Sequence, residues 1–337
     1  MKQATATLAQ APSASDGKTE EVQIEEQQQH GIGEEEIEAA AEGLLLLPSQ
    51  IQELDIWGCP DRRLCSSSLD DGTTTARRGL QGLGSLQSLR ISGSPKFLSS
   101  SSSSPSYCPF PTCLQKLSLV GLEGMFTLAP LSNLTYLYID DCRELRGGEF
   151  VWPLLAQGPL TELFIYGSHK LIDGMCEQDL PHSCSLQELY TDGKSGILAL
   201  PICSHLFSSI TKFVFGWNDE IERFTKEQQE ALQSLTFLQE LKIWNCEKLQ
   251  SLPAGLSGLS NLKRLKIVSC PAMRSFPKDS LPSSLTELVI ESCPSLRSLP
   301  EGRLLSSLVT LNVWESGNEE LKRQCCKLKG TIPIVKA

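Results

Sequence analysis

Apolar residues recur along the chain in the spacing Leu-x-x-Leu-x-(Leu/Ile)-x-x-Cys. Variants of it begin at Ile51, Leu86, Leu114, Leu134, Leu160, Leu186, Ile210, Leu238, Leu262, Leu285 and Leu308. The clearest copies are Leu238-Leu241-Ile243-Cys246, Leu262-Leu265-Ile267-Cys270 and Leu285-Leu288-Ile290-Cys293. From Leu134 onward, successive starts lie 26, 26, 24, 28, 24, 23 and 23 residues apart. Side chains alternate across a strand, so each copy predicts a short strand with two faces. In one copy Leu241 and Ile243 point inward, while Glu240, Lys242 and Trp244 face out. The return half has its own apolar anchors, such as Leu249, Leu252, Pro253, Leu256 and Leu259. A single copy cannot bury its apolar edge, so neighbours must stack.

A period of about 20–29 residues with this spacing is the signature of leucine-rich repeats. The predicted fold is an α/β solenoid: a leucine-rich-repeat horseshoe of about 11 irregular repeats. Its parallel sheet lines the concave face, with mostly loops or short helices on the convex side. The repeats are assigned to residues 44–315, with irregular excursions at Asp61–Gly84 and in the serine run Ser99–Ser104. Residues 316–337 are read as a C-terminal cap, because Asn318–Lys329 are mostly good helix formers and Thr331–Val335 resembles a strand. Residues 1–43 are rich in Gln and Glu and poor in aromatics, the composition of a disordered tail.

Charge follows the same division. Residues 1–43 hold ten acids against two bases and so carry −8 of the net −10. The repeats are close to neutral, which leaves no global basic field to hold nucleic acid or an anionic membrane. The first residues contain no apolar core of a secretory signal, and the run Leu44–Leu47 is far too short to span a bilayer. Thirteen cysteines would suggest a disulfide framework in a small secreted fold. Here Cys59, Cys142, Cys246, Cys270 and Cys293 hold the same place in their repeats, where a thiol serves as a small buried group and weak donor. A reducing compartment, cytoplasm or nucleus, fits that use.

No catalytic, cofactor or metal set emerges from the sequence, and the chain reads as a non-enzyme. His30, His169, His182 and His205 are scattered, and His182, Cys184 and Cys176 lack a second ligand pair. Gly193-Lys194-Ser195 imitates the end of a phosphate loop, but the first glycine of that motif would fall at Glu188. It reads as a turn. The outward strand positions are more informative. Tyr136, Tyr138, Phe164, Tyr166 and Tyr190 fall on three consecutive copies, with Trp57, Trp244 and Trp314 in a matching column elsewhere. Exposed aromatics mark interfaces because they bury much area at small entropic cost. Lys212, Lys242, Arg264 and Lys266 form a basic strip interleaved with Glu240. These residues are the partner-binding candidates.

Several motifs together carry a resemblance over Leu44–Ala337: Ile139-Asp140-Asp141-Cys142-Arg143-Glu144-Leu145, Phe150-Val151-Trp152-Pro153-Leu154-Leu155 and Cys246-Glu247-Lys248-Leu249-Gln250-Ser251-Leu252-Pro253. Cys293-Pro294-Ser295-Leu296-Arg297-Ser298-Leu299-Pro300 repeats the last pattern. The tail from Glu319-Glu320-Leu321-Lys322 through Gly330-Thr331-Ile332-Pro333 is also similar. The chain resembles the leucine-rich-repeat region of plant disease resistance proteins of the coiled-coil, nucleotide-binding type. It departs from them in lacking the nucleotide-binding switch domain. The resemblance implies protein partners: a pathogen effector, a host protein under guard, or a switch domain docked on the basic strip. An adaptor or scaffold in another pathway, or a non-functional receptor fragment, are the alternative readings.

Overall fold

The computed structural model describes residues 5–9, 50–59, 80–98, 107–124, 126–145, 151–171, 184–194, 196–198, 209–276, 281–299, 307–315 and 318–336. Two compact units divide the chain, Met1–Met175 and Cys176–Ala337. The first contains β1 (Thr5–Ala9), β2 (Glu53–Trp57), β3 (Ser88–Ser92), β4 (Lys116–Val120), β5 (Tyr136–Asp140) and β6 (Glu162–Tyr166). Each strand pairs parallel with the next. The second contains β7 (Glu188–Thr191), β8 (Lys212–Gly216), β9 (Glu240–Trp244), β10 (Arg264–Val268), β11 (Glu287–Glu291), β12 (Thr310–Trp314) and β13 (Ile334–Lys336). These also pair in sequence order, all parallel. Each unit is thus a leucine-rich-repeat solenoid, with one strand per repeat.

Register explains the framework. Within each unit, from β2 to β6 and from β7 to β12, the second and fourth residues of each strand stack on their counterparts in the neighbouring strand. In the second unit one column runs Leu189, Phe213, Leu241, Leu265, Leu288, Leu311, all no more than 1% exposed. The first, third and fifth residues face outward, and most are half-buried or exposed. That alternation is the one expected from the spacing of Leu and Ile. Short helices supply part of the return path: α1 (Trp152–Gln157) and α2 (Lys226–Gln233). Thr225 and Gln228 close a reciprocal capping box at the start of α2.

A left-handed residue follows almost every strand, and this was not visible in the repeat spacing. Glycine fills the position at Gly58, Gly93, Gly121, Gly167 and Gly193, but Asp141, Trp217, Asn245, Ser269, Ser292 and Glu315 fill it elsewhere. The conformation turns the backbone N–H toward the next strand. Asn245 N donates to Val268 O at 2.9 Å, Ser269 N to Glu291 O at 2.9 Å and Ser292 N to Trp314 O at 3.1 Å. A non-glycine residue is strained there by its Cβ, at a cost of about 1–2 kcal/mol, partly offset because glycine loses more backbone entropy on folding. Ser269→Gly is therefore expected to stabilise the chain by roughly 0.5–1 kcal/mol. A raised urea midpoint with an unchanged slope would bear this out; a lowered midpoint would contradict it.

One residue later stand the repeated cysteines. Their Sγ atoms donate back to the carbonyl two residues earlier: Cys142 to Asp140 at 3.4 Å, Cys246 to Trp244 at 3.4 Å, Cys270 to Val268 at 3.4 Å and Cys293 to Glu291 at 3.2 Å. Several also reach the preceding repeat, as from Cys142 to Leu119 O at 3.6 Å and from Cys293 to Ile267 O at 3.8 Å. Where the residue is serine the same job is done by oxygen: Ser94 and Ser168 donate to Ser92 O and Tyr166 O and accept from Cys59 N and Cys142 N. Asn218 takes the position after β8, donating to Asp192 O and accepting from Glu220 N and Ile221 N. These thiols are buried and are not joined in disulfides. Burial pushes Cys142 up to about 11. Hydrogen bonding along the column, first with Cys246, lifts Cys270 to about 12. Brief alkylation of the native protein near pH 7.5 should leave Cys142, Cys270 and Cys293 unlabelled by peptide mapping, with Cys326 exposed and labelled.

Both ends carry extra strands. At the C-terminus Asn318 accepts from Glu320 N and Leu321 N, which starts α3 (Glu319–Lys327), and donates to Leu296 O at 2.8 Å. Leu321 and Cys325 are buried, and β13 then pairs with β12. At the N-terminus β1 lies in register on β2, with Thr7 opposite Asp55. Residues 5–9 thus add a strand; the remainder of residues 1–43, expected to be mostly disordered, lies outside the described residues. So does the serine run, while the first insertion ends in a short 3-10 turn, Leu80–Gly82, whose Leu80 is buried.

Candidate recognition surface

The outward residues of β5 and β6 place four of the predicted aromatics in one continuous group. Ring centroids of Tyr136 and Phe164 lie 5.0 Å apart, Tyr138 and Phe164 5.7 Å, and Tyr138 and Tyr166 6.0 Å. Parallel register causes this, because Tyr136 is opposite Glu162, Tyr138 opposite Phe164 and Asp140 opposite Tyr166. Tyr166 is 9% exposed and forms the base of the group, whereas Tyr136, Tyr138 and Phe164 are half-buried. Tyr138 Oη donates to Asp140 Oδ2 at 3.3 Å. Burial, followed by the charge and hydrogen bond of Asp140, pushes the Tyr138 phenol up to about 12. Tyr136 is also raised, by burial and the charge of Glu162, against the nearby Arg90.

Tyr190 belongs to the second unit, where its partners are polar. Its hydroxyl donates to Glu188 Oε2 at 2.7 Å, and Lys212 Nζ reaches the same oxygen at 2.9 Å while lying 5.1 Å above the ring. Burial raises Tyr190 to about 12, the Lys212 contact opposing and the Glu188 contact adding to it. For Glu188, burial pushes the carboxyl up, but hydrogen bonds from Lys212 and Tyr190 outweigh it and hold it below the ordinary value. Raised from 10 to about 12 in the folded state, Tyr138 and Tyr190 contribute stability that is intact below pH 10 and lost as pH rises toward 12. Phenolate absorbance should accordingly show at least two late protons that advance to the ordinary value in denaturant. A titration complete by pH 11 would contradict the arrangement.

The predicted basic strip is neutralised along most of its length. Reading the first outward column across the second unit gives Glu188, Lys212, Glu240, Arg264 and Glu287, an alternation of sign set by register. Lys212 pairs with Glu188 at 2.9 Å; Arg264 and Lys266 both reach Glu240, at 3.5 and 3.0 Å. Lys242 is the exception. It has no carboxylate partner among the described residues, and its Nζ sits 4.7 Å above the Trp244 ring. Trp244 in turn lies across Gly216 and meets Trp217 edge-on at 4.9 Å. Trp217 is the residue that sequence reasoning missed. It stands one place past its strand, so the alternation never counted it, and no glycine marked the left-handed turn it occupies. Trp57 and Trp314 are about half exposed, at 51% and 57%, and touch no other ring among the described residues.

Gly193-Lys194 forms a turn: Gly193 has φ +75°, its N–H donates to Thr191 Oγ1, and Lys194 pairs with Asp219 at 3.1 Å. The described residues contain no group of three or more His, Cys, Asp or Glu side chains able to hold a metal ion. None of their helices is long and apolar enough to cross a membrane.

No protein-family model matches this chain, and no curated protein does. Solved structures with likeness to it include leucine-rich-repeat proteins. CroV588, a circular leucine-rich-repeat protein, is 15% identical over 79% of this chain with a TM-score of 0.44; the chain spans 37% of its length. An internalin from Listeria monocytogenes is 15% identical over 72% of this chain and 80% of its own, at 0.35. A leucine-rich-repeat protein of Leptospira interrogans is 16% identical over 87% of this chain and 93% of its own, at 0.27.

Proposed function

We propose that this chain is the protein-recognition module of a plant intracellular immune receptor, or of a truncated paralogue, and that it binds a pathogen effector or a host protein. Leucine-rich-repeat solenoids are protein-interaction architectures, in which a rigid framework carries variable outward residues. The observation that carries the reading is the aromatic group of Tyr136, Tyr138, Phe164 and Tyr166 on β5 and β6. Three of its rings are half-buried, so a partner can complete their burial without first ordering them. The receptor family is favoured by the Cys-x-x-Leu turns and the tail motif described above, and the apolar framework leaves the outward positions free to vary.

Co-precipitation in leaf tissue tests this, with candidate effectors co-expressed beside the wild-type chain and a Tyr136→Ala/Tyr138→Ala variant. An effector held by the wild type and at least tenfold less by the folded variant supports the reading. If no effector is retained, or the variant retains it equally, the reading fails.

A further inference from the structure

The second unit carries a second recognition point of different chemistry. Register places Lys242 beside Lys266 on adjacent strands, with Arg264 next to them. Glu240 pairs with Arg264 and Lys266, and Glu287 stands opposite Arg264 on the far side. The Lys242 ammonium is left to the face of Trp244, a contact that leaves its positive charge unneutralised. Beside it the Trp244 indole is folded down over Gly216, and its Nε1 donor is buried with no hydrogen-bond partner. Against that indole stands Trp217, 55% exposed and held at φ +57°. That conformation is the turn position shared by the repeats of this unit, and at Trp217 it carries a large ring to the surface. A cation without a carboxylate partner among the described residues, an unpartnered indole donor and an exposed tryptophan therefore meet within one corner of β8 and β9.

We infer that Lys242, Trp244 and Trp217 form a docking point for an acidic segment of a partner protein, a carboxylate resting on Lys242 and an apolar ring beside it lying on Trp217. The inference rests on reading the outward strand faces as protein-binding, and charge complementarity selects the occupant. Arg264 and Lys266 pair with Glu240, and Arg264 also stands opposite Glu287 in register, which leaves Lys242 as the cation that an incoming acid completes, whereas an incoming base would meet Lys242 and Lys266 together. The flat indole of Trp217 offers the apolar half of the contact. Glu240 holds Arg264 and Lys266 in place before binding and the Trp244 ring holds Lys242, which limits the ordering cost.

The test uses the full chain and two synthetic probes, acetyl-Glu-Glu-Phe-Glu-Glu-amide and its counterpart with Gln at every Glu. Binding is followed by tryptophan emission and calorimetry at low salt. The Glu peptide is expected to bind at least tenfold tighter than the Gln peptide and to weaken as salt is raised. Lys242→Gln and Trp217→Gly should each lower its affinity at least tenfold; glycine suits the turn at 217, so that variant keeps the fold. Tyr138→Ala in the first unit should leave peptide binding unchanged. Absence of Glu-peptide binding, equal binding of the Gln peptide, or indifference to both second-unit variants would overturn the docking point. None of those results would touch effector capture through Tyr136 and Tyr138, so the two readings fail separately.

Discussion

Leu241→Ala is expected to destabilise the protein by about 2–5 kcal/mol, the cost of removing a buried leucine from a site that cannot collapse around the gap. Leu241 is 1% exposed and lies in register between Phe213 of β8 and Leu265 of β10. Backbone ladders on both sides fix these neighbours, which leaves them little freedom to close the cavity. Stability in a stack of repeats is a sum of each repeat and its interfaces with the two adjoining it. The damage should therefore be local before it is global. Amide exchange should accelerate first in Lys212–Gly216 and Arg264–Val268 and later in Thr310–Trp314. Urea unfolding supplies the magnitude. Trp314→Ala, on the exposed face of β12, serves as the comparison and should shift stability by no more than about 0.5 kcal/mol. Equal losses from the two substitutions would mean that the inward column is not the core.

Gly216→Ala is the second large effect, at roughly 1–3 kcal/mol from overpacking. A methyl group there would stand 2.1 Å from Trp244 Cδ1, 2.3 Å from its Nε1 and 2.5 Å from its carbonyl oxygen. The indole must leave its seat, which also separates it from Trp217 and removes the surface under Lys242. Tryptophan emission should move to longer wavelength as the ring becomes hydrated. A double-mutant cycle separates the causes, since residues in contact are not additive. With Trp244→Ala in place, adding Gly216→Ala should cost less than it does alone. An unchanged cost would assign the clash to the backbone oxygen, and the indole would not be what the glycine accommodates.

Much of this arrangement was legible before any coordinates. Period-two burial in Leu241, Ile243 and their counterparts follows from side-chain alternation alone, and so does the outward placement of Tyr136, Tyr138 and Phe164. The repeated cysteines were also legible, because a small weak donor at a fixed offset from each strand suits a turn interior. The pairing of charges was not. Lys212, Arg264 and Lys266 are adjacent to acids only through register between strands more than twenty residues apart. Trp217 escaped for a different reason: the left-handed turn position is recognisable where glycine fills it and silent where tryptophan does. Strand β1 escaped too, because Thr5–Ala9 has none of the leucine spacing and sits in a segment whose composition argues against order.

The turn column has a consequence for how such a chain can change over generations. Asn245, Ser269 and Ser292 are each fastened by a main-chain bond to the following strand, while Cys142 and Cys293 reach a carbonyl of the preceding one. The periods that end at Cys142, Cys270 and Cys293 thus each carry one fastening that looks forward and one that looks back, and both repeat with the sequence. Duplication or deletion of a whole period reproduces the two fastenings at the new junction without any further substitution. An insertion of another length within a strand or its turn severs both. Unequal crossing-over therefore offers this architecture new displays of outward side chains while leaving the inward columns in register.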